Sequence, residues 1–339
     1  MARSPKPQRI TIKDVAKDAE VSFSAVSKVL RNAYGVSDAL REKVNASIEK
    51  LGYRPSFAAR GISGGQTFVI GVILPDIRNP FFSDILTGIS TALERTTYQM
   101  VQGIVRHSTE DALFESMINM QLDGLLVVGS ISTGEALTAL GSRIPVVTLG
   151  HHMPEATTFD TVNNDDFESG RLGVQHMVQQ GYRKIAMMSL EVSHGGVITK
   201  REEGYLAAMQ EAGLEKYAEI VRLPQDLRQI QLTAQRLMTG SGKKDAIFCW
   251  TDYVALEVLS VAGMNQLSVP GDVAVVGHDN TMYCAFDQNS LTSIDQSGEQ
   301  LGLQAARLLI ERIEGREKVE QFLVHPRLVV RRSTGPRAT

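Results

Sequence analysis

Residues 11–30 read Thr11-Ile-Lys-Asp-Val-Ala-Lys-Asp-Ala-Glu-Val-Ser-Phe-Ser-Ala-Val-Ser-Lys-Val-Leu30, and they decide the fold at the start of this chain. Thr11 with Asp14 three residues later is a capping box, a pattern typical of a helix start. Apolar residues then recur at i, i+3, i+4 and i+7 from Ile12 to Ala19, which predicts one short amphipathic helix.

A second helix is predicted next, with Ser22 as its cap. Its predicted buried side consists of Val26, Val29 and Leu30. The residues predicted to face away from the core are Phe23, Ser24, Ser27, Lys28 and Arg31. A third helix is predicted between Ser37 and Gly52. Three such short helices, the second with a polar exposed face, predict a helix-turn-helix DNA-binding headpiece.

The charge of the chain is distributed unevenly. Residues 1–60 contain 12 Lys and Arg against 6 Asp and Glu, a net charge of +6. The other 279 residues contain 23 against 32, a net charge of −9. A basic start supplies the electrostatic attraction to phosphates on which DNA binding depends. The pattern therefore favours a DNA-binding module joined to a different kind of domain.

The composition predicts a cytoplasmic protein of two or three domains. The chain has 339 residues, 43% of them hydrophobic, which is enough for more than one core. No apolar run approaches the roughly 18 residues that span a bilayer, and the first nine residues lack the apolar segment of a secretory signal. No membrane association is therefore expected. Cys249 and Cys284 are expected to be reduced and partly buried.

The body alternates between predicted strands and helices in two successive series. Strands are predicted at 68–74, 99–105, 124–128, 145–149, 184–189, 219–222, 245–249 and 272–277. Helices are predicted at 81–94, 110–120, 134–141, 166–180, 201–212, 228–239 and 252–265, followed by a last helix at 298–314 and tail strands around 319–332. This alternation predicts parallel doubly wound sheets of the α/β class.

Polar and aromatic residues follow several of these strands, where ligands of such sheets bind. They are Asp76, Asn79, Phe81 and Phe82; His151 and His152; Thr251 and Asp252; and Asp279. Arg201 opens a helix after the glycine pair at 195–196. Carboxylates, a guanidinium and aromatic faces suit a polyhydroxylated ligand such as a sugar. Asp252 and Asp279 are equally explained as helix N-caps, and Trp250 as core packing.

Signatures of catalysis and metal binding are weak. Gly240-Ser-Gly-Lys243 lacks the upstream glycine and the following Ser or Thr of a phosphate loop. The 7 histidines include no i, i+4 pair on one helix, and no serine occupies a Gly-x-Ser-x-Gly elbow. We expect no enzyme, no catalytic residue, no metal site and no cofactor.

From Thr11 to about Ser333 the chain resembles the lactose-repressor (LacI/GalR) family of bacterial transcription regulators. The motifs are Thr11-Ile-Lys-Asp-Val-Ala, Val26-Ser-Lys-Val-Leu-Arg-Asn32, Lys50-Leu-Gly-Tyr-Arg-Pro55, Ile70-Gly-Val-Ile-Leu-Pro-Asp-Ile-Arg-Asn-Pro-Phe-Phe82, Val269-Pro-Gly-Asp-Val, Gly277-His-Asp-Asn280 and Pro326-Arg-Leu-Val-Val-Arg-Arg332. The resemblance implies a headpiece at 1–55, a hinge helix at 56–66, and a two-lobed, periplasmic-binding-protein-like domain at 67–339. Its N-lobe would span about 67–165 and 297–325, and its C-lobe about 166–296 and 326–335.

The resemblance also assigns roles to residues. Those that match base-reading positions are Phe23, Ser24 and Lys28. Those that match phosphate-holding positions are Thr11, Ser22, Ser27 and Asn32. Ala59 and Ile62 match hinge-helix positions that enter the minor groove. Arg201 and Asp279 match the polar anchors of the effector, and Phe81 and Phe82 match its aromatic wall.

Three departures from the family pattern affect these roles. Glu20 stands where the family usually has Gly, so the turn differs or carries strain. In the hinge, Gly61-Ile62 stands where the family usually has another residue followed by Leu. Leu149-Gly150 stands where many relatives have an Asp, so we expect His151 to make the effector contact of that loop instead.

The predicted mechanism is a homodimer that binds a near-palindromic operator and represses a carbohydrate operon, with allosteric control by a sugar bound between the lobes. The alternative is the same class of regulator with a sugar acid or a nucleobase as corepressor. Competing interpretations are a solute-binding transport component and a sugar-modifying enzyme with an accessory DNA-binding head.

Overall fold

The computed structural model describes residues 10–30, 33–53, 66–105, 110–129, 131–191 and 196–337. Asn32, Ala59 and Ile62, and the predicted hinge helix except Gln66, lie outside the described residues. Contacts divide the chain into two compact units, residues 1–68 with 116–123 and residues 69–115 with 124–339. In the described part of the chain, no helix is long and apolar enough to cross a bilayer.

The headpiece consists of helices α1 (Ile12–Asp18), α2 (Phe23–Leu30) and α3 (Asp38–Leu51). Each helix starts where the sequence places a cap. The Asp14 carboxylate accepts hydrogen bonds from the Thr11 backbone N–H (2.8 Å) and hydroxyl (2.7 Å). Ser22 Oγ accepts from the Ala25 N–H (3.1 Å), and the Ser37 side chain accepts from the first turn of α3 (3.3 Å). Residues of all three helices form one small apolar core.

The exposed face of α2 differs from the prediction at two residues. Ser27 was expected to be exposed but is 7% exposed, and Leu30 was expected to be buried but is 36% exposed. Because α2 contacts both α1 and α3, its buried arc is wider than the single apolar stripe visible in the sequence. Leu30 is the last residue of this short helix.

The turn between α1 and α2 contains a strained residue. Glu20 has φ +49°, in the left-handed region where a side chain costs about 1–2 kcal/mol. The turn therefore has the backbone conformation that glycine favours, and Glu20 is strained in it. Lys43 lies 3.6 Å from the Glu20 carboxylate, but both side chains are exposed, so this contact adds little stability.

The first sheet, which defines the N-lobe, is entirely parallel in the order β11-β5-β4-β3-β1-β2. Its strands are β1 (Val69–Leu74), β2 (Gln99–Ile104), β3 (Gly124–Val128), β4 (Val146–Leu149), β5 (Asp160–Asn164) and β11 (Gln321–Val324). Helices α4 (Phe81–Leu93), α5 (Glu110–Asn119), α6 (Gly134–Gly141) and α11 (Gly298–Ile313) connect or follow these strands.

The second sheet, which defines the C-lobe, has the order β12-β10-β9-β8-β6-β7. Its strands are β6 (Ile185–Leu190), β7 (Glu219–Leu223), β8 (Ala246–Cys249), β9 (Ala274–Asp279), β10 (Thr292–Asp295) and β12 (Arg327–Val329). Only the pairing of β12 with β10 is antiparallel among these described strands. The helices are α7 (Asp166–Gln179), α8 (Val197–Glu211), α9 (Leu227–Met238) and α10 (Asp252–Met264).

The prediction missed β5 and β10 because neither is an apolar run. β5 reads Asp-Thr-Val-Asn-Asn, yet all five residues are buried. Its polar side chains have partners from distant parts of the chain: the Asp160 carboxylate accepts from Arg312 (3.0 Å) and Arg316 (2.5 Å). A buried polar strand of this kind is stable only when such partners exist, and a local pattern does not reveal them.

Two helix pairs approach so closely that their backbones touch at glycines. On the N-lobe, a Cβ added to Gly302 of α11 would lie 2.0 Å from the Ile85 carbonyl oxygen of α4. On the C-lobe, a Cβ added to Gly170 of α7 would lie 2.1 Å from the Arg201 carbonyl oxygen of α8. The second contact brings the first turn of α7 against Arg201.

Candidate functional site

The candidate effector site lies at the carboxyl ends of the parallel strands, where loops from both lobes meet. Asp76 and Asn79 follow β1 in the N-lobe, and Asp279 ends β9 in the C-lobe. Trp250 and Thr251 follow β8. A pocket there is lined by residues of both lobes: Asp76, Arg78, Asn79, Gln225, Leu227, Ile230, Trp250, Thr251 and Tyr253.

Arg201 is held by a buried ion pair that the sequence did not reveal. Its Nε donates to Asp166 Oδ1 at 2.9 Å, and its Nη1 donates to the Trp250 carbonyl oxygen at 2.9 Å. Both charged side chains are at most 6% exposed. His152 Nε2 lies 2.8 Å from the second Asp166 oxygen. Arg201 does not open α8 as expected, because that helix begins at Val197 and places Arg201 one turn inside.

Burial by itself would raise the pKa of the Asp166 carboxyl, but the positive charge of Arg201 and the hydrogen bond from His152 outweigh it and hold this pKa below the ordinary value. Asp166 is therefore ionised, and the positive charge of Arg201 is already compensated. The signal for Asp166 was its position just after a strand, but that strand, β5, is one of the two that the prediction missed. Sequence reasoning also missed Gln296, which binds Asp279.

Asp279 connects the two lobes directly. Its Oδ2 accepts a hydrogen bond from Asn79 Nδ2 at 3.0 Å, and its Oδ1 accepts from Gln296 Nε2 at 2.6 Å. Its backbone has φ +116°, a conformation that side chains rarely adopt. Strain of this kind is concentrated at binding sites and is held by the surrounding structure. Asn79 and Asp279, both predicted site residues, are thus in contact.

Asp252 interacts electrostatically with Asp279 and is bound by residues of the C-lobe. It accepts from the Ser293 hydroxyl (2.5 Å) and from the Thr281 backbone N–H (2.7 Å). The interpretation of Asp252 and Asp279 as N-caps is wrong, because Thr251 caps α10 and Asp279 is the end of β9. Burial raises the pKa of both the Asp252 and the Asp279 carboxyl to about 7. For Asp252, repulsion by the Asp279 carboxylate contributes to the rise.

His278 adds a buried imidazole beside this network. Its Nδ1 lies 3.3 Å from Asp279 Oδ1, and within the described part of the chain its Nε2 has no hydrogen-bond partner. Burial and the charge of Arg201 lower the pKa of His278 well below its usual range, so the ring is neutral. Among the described residues, no group of three or more His, Cys, Asp or Glu side chains could hold a metal ion.

The aromatic residues of the pocket differ from those expected. The Phe81 and Phe82 rings are in tilted contact at 5.8 Å, but Phe81 is only 9% exposed and packs against Gly298 of α11. The rings that line the pocket belong to Trp250 and Tyr253. Trp250 also belongs to the C-lobe core, which agrees with its interpretation as core packing.

His151 lies away from the pocket lining. It is 1% exposed, and its backbone N–H and C=O are bound by the Asn163 amide at 2.8 and 2.9 Å. Asp76 lines the pocket but is bound by the exposed Arg78 at 2.7 Å. Of the predicted effector residues, the structure therefore gathers Asp76, Asn79, Thr251, Arg201, Asp252 and Asp279 into the pocket or the network beside it.

In the headpiece, the start of α2 presents an exposed face. Ser22, Phe23, Ser24 and Lys28 are all exposed, with Phe23 at 53%. Ser22 accepts an N–H through its oxygen and keeps its own hydrogen for another acceptor. The Thr11 hydroxyl instead donates to Asp14, so it can bind a phosphate only after leaving that carboxylate.

A helix-turn-helix headpiece together with a two-lobed α/β domain defines a class of proteins, the ligand-responsive transcriptional repressors. Residues 11–56 match the family model for bacterial regulatory proteins of the lacI family. Residues 67–331 match the model for periplasmic binding proteins and the sugar binding domain of the LacI family. The chain belongs to the LacI family.

Similar proteins cover nearly the whole chain. The HTH-type transcriptional repressor PurR of Erwinia tasmaniensis is 31% identical over 331 residues, which is 95% of this chain and 96% of that protein. A complex of the transcriptional regulator CelR with cellobiose has a TM-score of 0.70 at 26% identity and covers 96% of this chain and 100% of that one. The Lac repressor dimer bound to operator and an anti-inducer has a TM-score of 0.82 at 24% identity, with 97% and 100% covered.

These findings confirm the predicted family and the predicted fold class. The chain is a DNA-binding transcriptional repressor with an effector-binding domain and not an enzyme. Repressors of this family bind operator DNA and small-molecule effectors and function as dimers.

Proposed function

We propose that this repressor controls an operon for carbohydrate uptake or catabolism, and that a neutral sugar bound between the two lobes regulates it. The observation that carries the proposal is the pocket at the carboxyl ends of the strands: Asn79 of the N-lobe lines it and donates a hydrogen bond to Asp279 of the C-lobe, beside the pocket, at 3.0 Å. Carboxylate and amide groups bind sugar hydroxyls, and the Trp250 and Tyr253 rings can cover an apolar sugar face. The similar regulator CelR holds cellobiose, which supports a sugar here.

The charge balance of the site favours a neutral ligand over a sugar acid. Arg201 is the buried cation, and it is already paired with Asp166 at 2.9 Å. Asp279 and Asp252 add two more carboxyls that are largely protected from solvent. An incoming carboxylate would meet an excess of acidic groups, whereas hydroxyls can both donate to these oxygens and accept from Arg201.

A sugar would act on the lobes through the Asn79–Asp279 hydrogen bond. Hydroxyls that bind Asp279 replace the amide of Asn79 as its donors, so the ligand changes the contact that joins the lobes. An effector can shift the equilibrium between lobe arrangements only by its different affinity for each. Couplings of this kind are typically worth about 1–3 kcal/mol.

The effector is identified by a thermal-shift screen of the full chain against neutral sugars, sugar acids, sugar phosphates and nucleobases. A ligand that binds only the folded state raises the unfolding midpoint by an amount that grows with the logarithm of its concentration relative to its dissociation constant. We expect a hit among neutral sugars that is lost in Arg201→Ala and Asn79→Ala. Arg236→Ala is the matched control, because Arg236 is an exposed residue of α9 paired with Glu219.

Asn79→Ala keeps the screen interpretable if Arg201→Ala is too unstable, because Asn79 is not part of the buried ion pair. A hit confined to nucleobases or sugar acids would contradict the neutral sugar. A sugar hit that persists in both site variants would place the ligand elsewhere.

For the headpiece we propose that Phe23, Ser24 and Lys28 contact bases and that Ser22 binds a phosphate. Ser27 is left out because its side chain is buried. The operator can be selected from random DNA and binding followed by anisotropy. Lys28→Gln should weaken binding to the selected sequence by about tenfold, since a good base contact contributes about 1–3 kcal/mol. Lys17→Gln on α1 is the charge-matched control, and an equal loss in both variants would refute a special role for Lys28.

A further inference from the structure

A second pocket opens at the opposite edge of the C-lobe sheet. It is formed by residues just before β6, β8 and β9, at their amino ends. β6 has six residues, so at about 3.3 Å per residue the two edges are separated by roughly 20 Å. The pocket therefore shares no residue with the effector site. Five of its lining residues are cations: Arg183, Lys184, Lys243, Lys244 and Arg337.

The two carboxylates of this pocket are already bound by other groups. Asp245 accepts from the backbone N–H groups of residues 183 and 184, the latter at 2.8 Å, and from Arg337 at 2.5 Å. Asp272 accepts from the backbone N–H (2.8 Å) and the hydroxyl (2.7 Å) of Ser268. The pocket itself thus has three more cations than anions. Two net positive charges remain when Glu219, which binds Lys244 at 2.7 Å, is included.

Two of the lysines form no close ion pair, although the charge of Lys243, after the hydrogen bonds from Ser268, contributes to lowering the pKa of Asp272. Within the described ranges, no carboxylate oxygen lies within 4.0 Å of the amino groups of Lys184 and Lys243. Arg183 Nη1 donates to the carbonyl oxygens of residues 178 and 182 at 3.0 Å each, and in the described part of the chain no salt bridge joins the Arg183 guanidinium to a carboxylate. This excess is unusual in a body that carries a net charge of −9 outside residues 1–60.

The equivalent edge of the N-lobe sheet shows what a compensated pocket looks like. A pocket there contains Arg143, Arg312 and Arg316. Arg143 is bound to the Glu115 carboxylate, and the other two arginines are bound to Asp160. Cations at this edge of a sheet can therefore have a purely structural role, and in that case each forms an ion pair with a carboxylate. Lys184 and Lys243 do not fit that description.

The loop Gly240-Ser-Gly-Lys243 and the residue after it, Lys244, supply two of the cations. The loop is not a phosphate loop of the known kind, but the structure places Lys243 and Lys244 side by side at the pocket. Gly240 has φ +85°, which a residue with a side chain rarely adopts, and the Lys244 N–H binds the Leu237 carbonyl oxygen at 2.7 Å. The loop is thus turned and anchored so that its lysines reach the amino ends of the strands.

We propose that this pocket is a second ligand site, which binds a small anion bearing one or two phosphoryl groups. Lys184 and Lys243 would bind the phosphoryl oxygens as point charges, and Arg183 would add a further donor. The neighbouring Asp245 is saturated with donors, so it positions the backbone and does not repel the ligand by an uncompensated charge. The ligand binds at the base of the C-lobe, independently of the sugar.

The test is isothermal titration of the full chain with pyrophosphate and with inorganic phosphate at low ionic strength, where exposed charges are least screened. The double variant Lys184→Gln, Lys243→Gln should weaken pyrophosphate binding at least tenfold. Two double variants with the same change of charge are the controls: Lys200→Gln, Lys318→Gln on the body and Lys13→Gln, Lys17→Gln in the basic headpiece. Each should change the affinity less than twofold.

Hydrogen exchange provides a second measurement that does not depend on a variant. Pyrophosphate should slow the exchange of amides in residues 240–245 and 183–184. An equal loss of binding in all three double variants would show nonspecific attraction, and a loss confined to the headpiece variant would place the anion there. Either of these results would overturn the proposal. So would the absence of pyrophosphate binding to the unmodified chain, or competition between pyrophosphate and a cleft-bound sugar.

Discussion

Replacement of Asp166 by Asn removes one charge from the buried pair with Arg201 and leaves the shape of the side chain nearly unchanged. The two side chains are 2% and 6% exposed, so solvent screens their interaction little. Removal of one partner of such a pair destabilises proteins by about 3–5 kcal/mol. Asn keeps one acceptor oxygen, which Arg201 can still use, while His152 loses its acceptor. We therefore expect a loss at the lower end of that range, about 3 kcal/mol.

The chain contains a single tryptophan, and this makes the measurement local. Trp250 is 3% exposed, and its carbonyl oxygen accepts the Arg201 guanidinium at 2.9 Å. Urea unfolding followed by tryptophan fluorescence thus reports on the C-lobe beside the ion pair. Asp165→Asn is the matched control: Asp165 is the N-cap of α7 and accepts the Glu168 N–H at 3.0 Å. Because Asn caps helices as well as Asp does, the control should change stability by less than about 0.5 kcal/mol.

The pH dependence of stability provides a second test of the Asp166–Arg201 pair. The folded-state pKa of Asp166 lies below its ordinary value of 3.8, so the pair stabilises the protein fully above that pH and loses its effect as the pH falls through the folded value. The difference between the wild type and Asp166→Asn should therefore be constant near neutrality and shrink in acid. Equal stability of the Asp165 and Asp166 variants at pH 7 would refute the assignment of Asp166 as the residue that holds Arg201.

Three further outcomes are expected. Glu20→Gly should raise headpiece stability by about 0.5–1 kcal/mol in hydrogen exchange, since relief of the left-handed strain exceeds the added entropy of the unfolded chain; Glu20→Ala keeps the strain and should show no gain. Gly204→Ala should lower the melting temperature, because its Cβ would lie 1.9 Å from a carbonyl oxygen of the facing helix. Gly263→Ala, with open space around it, should instead stabilise the protein by about 0.5 kcal/mol. A higher melting temperature for Gly204→Ala than for Gly263→Ala would contradict the packing. Asp252 and Asp279 have folded pKa values raised to about 7, so their contribution to stability falls as the pH rises from about 4 to 7. Asp252→Asn should make the free energy of unfolding, measured by urea titration, depend less on pH over this range. An unchanged pH dependence would contradict the raised pKa of Asp252.

Most of the fold could be predicted from local patterns. The caps at Thr11, Ser22 and Ser37 specify where the headpiece helices start. Apolar runs such as β1, which is buried along its whole length, specify the parallel strands. These features depend on the burial of residues close together in sequence, so periodicity and capping residues reveal them.

Several parts of the site could not be predicted in this way. β5 and β10 lack an apolar pattern, and Asp166 follows the first of them, so the residue that holds Arg201 was missed. Ser27 is buried because α2 packs against two helices at once. The aromatic lining comes from Trp250 and Tyr253, while Phe81 packs against α11.

The sequence by itself determined the family, the headpiece helices, the order of all strands and helices except β5 and β10, and most of the polar residues at the strand ends. The tertiary structure alone decided which of those polar residues meet. Asn79 and Asp279 are 200 positions apart and form a hydrogen bond, and Arg201 meets an aspartate 35 positions away because glycines let α7 and α8 touch. The physical reason is that a buried polar group is stable only with a partner, and the closing of the chain into two lobes selects that partner.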